Sequence, residues 1–304
     1  MSGANASPLG RSHQQMIPFV KTHALGNDFL LVEQTPQIPP DNAELARQIC
    51  HRNFGIGADG LILWRAENRI FRLRIFNRDG SEAECSGNGL RCVAAYLMGS
   101  GRWAEDEIQL ETMSGVYVLR RAGQQYEADM GAPGLAPEEI PFVPPVPMSG
   151  ANASPIGRSH QEMKQVVNYP LAADGELVAI TACSTGNPHC SIFVDEPNDS
   201  YVEKIGPLLE RHPAFPRRTN VEFIHVLNYR EIEVAFWERG VGVTYASGTG
   251  SCGATVACIL NGKTGRQVTV HTKAGKLSVE WPENGHLKLT STATIVAEGN
   301  YCEP

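Results

Sequence analysis

Two short stretches of this sequence gather residues suited to chemistry at a helix end: ECSGNGLRC over 84–92 and ASGTGSC over 246–252. In each, a serine (Ser86, Ser247) stands directly before a Gly-x-Gly turn that opens a small-residue, apolar run. Such a turn at a helix N-terminus exposes unpaired backbone N–H groups and the positive end of the helix dipole. That combination holds a carboxylate or phosphate. Two of them converging on one cleft would grip an anion from both sides and stabilise negative charge developing between them. One turn alone reads better as a Gly-rich helix cap without a ligand. The pair is more telling, because FNRDGSEAECSGNG (76–89) lies over WERGVGVTYASGTG (237–250) without a gap, at a constant offset of 161. Arg78 then matches Arg239, Ser86 matches Ser247, and Gly87 and Gly89 match Gly248 and Gly250.

Other polar residues suit a ligand the size of an amino acid. Asn27, Asn77, Asn187 and Asn220 each follow or interrupt an apolar, strand-like run. Asparagine is depleted in strands, so these four want hydrogen-bond partners, although any one of them alone can be an ordinary turn residue. Glu238 and Arg239 lie side by side next to Trp237. Arginine reads a carboxylate in bidentate fashion and glutamate an ammonium group; an ordinary surface ion pair is the other reading.

These residues need a frame. FRLRIF (71–76), GVYVLRR (115–121), YEADM (126–130), EIEVAF (231–236), QVTVHT (267–272) and KLSVEW (276–281) alternate as strands do. Asp41–Asn42 can cap a helix through AELARQICHR, and Asn198–Asp199 one through YVEKIGPLLERH. LRCVAAYLM and CGATVACIL, after the two turns, read as buried helices. Both halves thus run in one order: capped helix, strands, Gly-turn, buried helix, strands. The expectation is two similar α/β domains facing each other across a pseudo-twofold axis, with one site between them.

Composition narrows the class of protein. The chain has 304 residues, 42% hydrophobic and 19% charged, as a globular protein with a full core does. A formal charge of −7 argues against a nucleic-acid partner. No apolar run approaches the ~20 residues that span a bilayer, and the polar N-terminus lacks the apolar centre of a signal peptide. The expectation is a cytoplasmic protein without a membrane partner. Eight cysteines show no C-x-x-C pair and no zinc-like spacing, and are expected as reduced, mostly buried thiols. Residues 1–16 recur at 148–163, differing only at Leu9/Ile156 and Gln15/Glu162. Their Gly, Ser, Asn and Pro content, with a Pro-rich stretch before the second copy, predicts flexible surface segments.

From about Ile17 onward the chain resembles the diaminopimelate epimerase family. The resemblance is carried, in order, by HALGNDF (23–29), GIGADGLI (55–62), FNRDGSEAECSGNGLRC (76–92), GNPHCSIFV (186–194), RTNVEF (218–223) and WERGVG…ASGTGSC (237–252). It implies a mixed α/β (α+β) fold of two pseudo-twofold-related domains, each a mixed sheet wrapped around a central helix, with the C-terminal strand returning to the first domain. The expected boundaries are a polar extension over 1–16, a first domain over 17–130 plus 292–304, and a second over 131–291 with 148–163 as an insertion. The resemblance also implies a homodimer, with diaminopimelate bound in the cleft and its LL and meso forms interconverted for lysine and peptidoglycan precursor synthesis. No pyridoxal phosphate, metal or other cofactor is implied. Asn27, Asn77, Asn187 and Asn220 would hydrogen-bond the substrate, and Glu238 with Arg239 would read its distal amino-acid group. The amides of Gly87–Asn88 and Gly248–Thr249 would cradle the carboxylate at the reacting carbon, with His189 lining the same site.

In that family one thiolate removes the α-proton and a thiol on the opposite face delivers another. The two cysteines stand directly before the Gly-x-Gly turns, where this chain has Ser86 and Ser247. A thiol titrates near 8.5, whereas a hydroxyl is closer to water at about 15.7. The gap of roughly 7 units is on the order of 10 kcal/mol, against up to about 2 kcal/mol from a helix dipole. No base is evident in the motifs beside both serines, so the expectation is substrate binding with very poor epimerisation. Cys85 is expected to point away from the site, and Cys92 and Cys252 to pack in the core. Val243 stands where the family usually has Glu. Two alternatives share the scaffold: a related racemase or isomerase with another substrate, and a non-catalytic amino-acid-binding protein.

Overall fold

Leu61, Ile62, Leu63 and Trp64 are consecutive and all buried, yet they enter two different cores. Leu61 and Leu63 pack with Leu45, Ala46 and Ile49, whereas Ile62 and Trp64 pack with Leu90, Val93 and Leu97. Successive strand residues point to opposite faces, so this strand lies between two helical layers. The computed structural model describes residues 16–145 and 163–302. The two copies of the sixteen-residue repeat lie outside them, except for the final Met16 and Met163.

The first half runs β1 (Met16–Ala24), β2 (Asn27–Glu33), α1 (Asn42–Ile49), β3 (Gly60–Glu67), β4 (Ile70–Asn77), β5 (Glu82–Ala83), α2 (Gly87–Gly99), β6 (Glu107–Thr112), β7 (Gly115–Ala122) and β8 (Gln125–Asp129). After β9 (Val166–Ala173) the second half repeats it: β10 (Glu176–Ser184), β11 (Pro188–Phe193), α3 (Asp199–Glu210), β12 (Asn220–Asn228), β13 (Glu231–Glu238), β14 (Gly242–Thr244), α4 (Gly248–Leu260), β15 (Gln267–Thr272), β16 (Gly275–Glu280) and β17 (Lys288–Ser291). The last strand is β18 (Thr294–Cys302).

Pairing repeats as well. The parallel pairs β2–β3 and β4–β6 have counterparts in β11–β12 and β13–β15, and the intervening pairs are antiparallel in both halves. Each half wraps its sheet around a buried helix, α2 or α4, and carries α1 or α3 on the outer face. The fold is therefore the mixed α/β architecture the sequence implied. Two contacts tie the halves together. β8 pairs antiparallel with β17, and the flanking strands are exchanged: β9 follows the first half but pairs with β10, while β18 follows the second half but pairs with β1.

The sequence-derived elements agree closely, and the differences fall at helix ends. Asp41 and Asn198 are the N-caps of α1 and α3, as read from the sequence. α1 stops at Ile49 rather than running to Arg52, because the Ile49 carbonyl accepts the amides of both Ile56 and Gly57. The loop thereby supplies the donors that another helical turn would have provided. α3 likewise stops at Glu210, whose side chain turns inward to accept from Trp237 Nε1 at 2.8 Å. All eight cysteines are free. Among the described residues no helix is long and apolar enough to cross a membrane.

Candidate active site

Ser86 and Ser247 are the N-caps of α2 and α4, with nearly identical extended backbones (φ −143°, ψ 112° and φ −136°, ψ 124°). Each hydroxyl accepts the amide three residues on: Ser86 Oγ from Gly89 N at 3.1 Å and Ser247 Oγ from Gly250 N at 3.2 Å. Serine is among the best N-caps because its short side chain reaches that orphan donor.

The two glycines of each turn do different work. A Cβ on Gly89 would come within 2.8 Å of Ile62 Cδ1, and one on Gly250 within 2.9 Å of the Phe236 ring. These glycines let the helix approach its own sheet. By contrast, a Cβ on Gly87 would meet nothing nearer than Arg91 Nη1 and Met130 Cε at 3.9 Å, and one on Gly248 would lie 3.6 Å from Leu289 and 3.7 Å from Arg91 Nη2. Neither needs a positive φ. The protein's own packing does not demand glycine at 87 or 248.

Arg91 stands beside both turns, and sequence reasoning missed it. It is the one charged residue in α2 and is 0% exposed. Side chains on a helix lean toward its N-terminus, which carries this guanidinium back to Gly87 and Asn88. Nη2 donates to Asn88 Oδ1, while Nε and Nη1 have no hydrogen-bond partner among the described residues. Burial lowers its pKa to about 10, which still leaves it charged at neutral pH. The nearby Cys92 and Cys252 thiols are pushed up to about 12 by burial and so carry no compensating charge.

The first half's asparagines extend from Arg91. Asn88 Nδ2 donates to Asn27 Oδ1 at 3.1 Å, and Asn27 Nδ2 to Asp59 Oδ2 at 3.0 Å. Arg52 bridges Asp59 and Asp28 at 2.7 and 2.8 Å, and Lys21 adds a 3.3 Å contact to Asp28. Burial works to raise the Asp28 carboxyl, but Arg52 and Lys21 together hold it below the usual range. Asn77, at the end of β4, is exposed and donates to Ser81 Oγ at 3.0 Å.

The second half supplies another set. His189 is 0% exposed, with Nδ1 2.6 Å from Glu222 Oε1 and Nε2 2.9 Å from Asn187 Oδ1. Asn220 donates to the Pro188 carbonyl at 3.2 Å and accepts the Arg239 amide at 2.9 Å. The Arg239 guanidinium is exposed and donates to the Arg217 carbonyl at 3.0 Å. Thr249, in the first turn of α4, accepts from Thr185 Oγ1 at 3.4 Å through its carbonyl.

The motifs showed no base beside both serines, and the hairpin β13–β14 brings the Glu238 carboxyl within hydrogen-bonding reach of Ser247. Burial raises its pKa, while the Ser247 and Thr244 hydroxyls stabilise its charged form, with Thr244 Oγ1 donating at 3.2 Å. Position 77, the counterpart of 238, is Asn, so the two serines are not equivalent. Cys85 is half-buried and interacts with the Tyr117 hydroxyl, and Cys92 and Cys252 are core residues. Val243 is 36% exposed, paired across from Trp237 on β14. Among the described residues no three His, Cys, Asp or Glu side chains form a metal-ligand set.

Two repeated α/β halves, each a mixed sheet wrapped around a buried helix, define a fold class also seen in solved structures. A PhzF-family phenazine biosynthesis protein from Bacillus anthracis matches with a TM-score of 0.65 at 16% identity, over 94% of this chain and 98% of that one. A hydroxyproline epimerase from Agrobacterium vitis matches with a TM-score of 0.63 at 15% identity, over 96% and 94%. At such identities the likeness is one of fold. The chain belongs to the diaminopimelate epimerase family, whose model matches it twice, over residues 19–135 and 181–297. It is 46% identical to the diaminopimelate epimerase of Moorella thermoacetica and 47% identical to that of Pelotomaculum thermopropionicum, each over 93% of this chain and 98% of the relative.

Proposed function

We propose that this protein binds diaminopimelate between α2 and α4 and is built to interconvert its LL and meso forms by two-base proton transfer, with Ser86 and Ser247 at the two transfer positions. The observation that carries this reading is the pair of glycines, 87 and 248, left open beside a buried, half-unpaired guanidinium. Their amides, with those of Asn88 and Thr249, suit the carboxylate at the reacting carbon. Asn27, Asn77, Asn187 and Asn220 surround the remainder of the substrate, with His189 supporting Asn187 and Arg239 facing the distal group. Glu238 shares the distal group with Arg239, and its hydrogen bond from Ser247 also makes it the acceptor for the Ser247 proton. The resemblance further supports a cytoplasmic homodimer without a cofactor, and domains bounded at 130/131 and 291/292.

The serines set the rate. A hydroxyl lies roughly 7 pKa units above a thiol, so abstraction is slower by many orders of magnitude even with Glu238 beside one of them. Both hydroxyls are also occupied as helix caps, which favours a bound, non-reacting complex. The test is α-proton exchange of LL-diaminopimelate in deuterated water. The parent is expected to bind without measurable exchange, and Ser86→Cys combined with Ser247→Cys to gain rapid exchange. Exchange by the parent at the rate of the double variant, or no binding by either, would overturn this reading.

A further inference from the structure

Arg91 is expensive as built. A cation at the positive end of a helix is unfavourable, and this one faces the N-termini of both α2 and α4. It is fully buried, has no carboxylate partner among the described residues, and leaves Nε and Nη1 unpaired. A buried charge without a partner is among the costliest arrangements in a protein. The neutral Cys92 and Cys252 thiols do nothing to offset it.

We infer that Arg91 is the fixed counter-charge of the substrate's reacting carboxylate, a positioning residue that sets the demand for an anion between the two helix ends and holds Asn88 in register with Asn27. This rests on the function proposed above and deepens it. The glycine amides supply the hydrogen bonds to the carboxylate; Arg91, behind them and reaching both Gly87 and Gly248, supplies the charge. Because the guanidinium belongs to one helix and approaches the other, an anion held there also draws the two halves together. The cost of the ligand-free state is released when a carboxylate arrives, so the site discriminates by charge rather than by shape alone.

The test compares LL-diaminopimelate with its diamide, which keeps both amino groups but has no carboxylate, by calorimetric titration, in the parent and in Arg91→Met. The contribution of the distal end is the same in both proteins and cancels. The preference for the diacid is expected to fall by about 10- to 100-fold in Arg91→Met, the range an attraction between charges several ångströms apart supplies at an effective dielectric constant of about 20. Arg91→Lys is expected to keep most of it. An unchanged diacid/diamide ratio in Arg91→Met, with diacid still bound, overturns the role of Arg91 alone. Failure of the parent to bind the diacid overturns the function beneath it. A second readout needs no substitution: in the parent, the buried guanidinium NMR resonances should shift on adding the diacid and not the diamide. Equal responses, or none, overturn the inference.

Discussion

Individual residues carry opposite electrostatic signs in the two halves. Asp28 is held below its ordinary pKa, so its ion pairs stabilise the fold above about pH 4, and that stability is lost as pH falls through its lowered folded value. Asp28→Asn is expected to cost about 1–3 kcal/mol at pH 7, since Arg52 remains half exposed and can rehydrate. Glu238 behaves the other way. Burial raises its pKa, so the folded state binds more protons and stability declines as pH rises from its unfolded value to its folded one. Glu238→Gln should therefore raise the ligand-free melting temperature at pH 7 and remove that slope. Melting curves of both variants between pH 3 and 8 check the two signs. The chemistry at this scale was partly legible in the sequence. The serines, the asparagines and the glycine turns stood out by type and spacing, but Arg91 did not, because a charge inside an apolar run reveals its role only once its neighbours are known. Its signal was available: one arginine in a thirteen-residue helix otherwise free of charge. Glu238 stood out by type, but its hydrogen bond from Ser247 did not, since only the β13–β14 hairpin brings the two together.

At the scale of elements, the two turns separate packing from function. Gly89→Ala and Gly250→Ala force a Cβ into Ile62 and Phe236 and should destabilise by about 1–3 kcal/mol, the typical cost of overpacking. The stiff phenyl ring should make Gly250 the worse of the two. Gly87→Ala and Gly248→Ala meet only ordinary contacts and should leave stability unchanged or raise it by up to about 1 kcal/mol. Those same two substitutions should abolish diaminopimelate binding. Denaturant midpoints set beside titrations distinguish the pairs, and loss of stability rather than binding at 87 and 248 would count against the site. Both central helices were readable in advance from their small apolar residues. Their outer counterparts were predicted too long, because loop amides and an inward-turned glutamate end them through tertiary contacts that no local pattern records.

The whole molecule is held by exchange. β9 and β18 each complete the sheet of the half they do not follow, and β8 joins β17 between them. Neither half can unfold while leaving the other's sheet intact. Heating should give one calorimetric transition with equal van't Hoff and calorimetric enthalpies, and two resolved transitions would contradict this coupling. The internal duplication was visible as the 161-residue offset. The return of the last strand came from the family resemblance, since pairing between strands as distant as β1 and β18 leaves no mark in either.

The exchange also has a consequence in time. During synthesis the edge of β1 stays open until β18 emerges, since Met16 pairs with Cys302 at the far end of the described chain. At about 5–20 residues per second that interval is about 15–60 s. Through it Phe19 and Val20 lie on a strand with one open edge, the kind that seeks partners in other chains. The first half is thus begun before the second and finished after it.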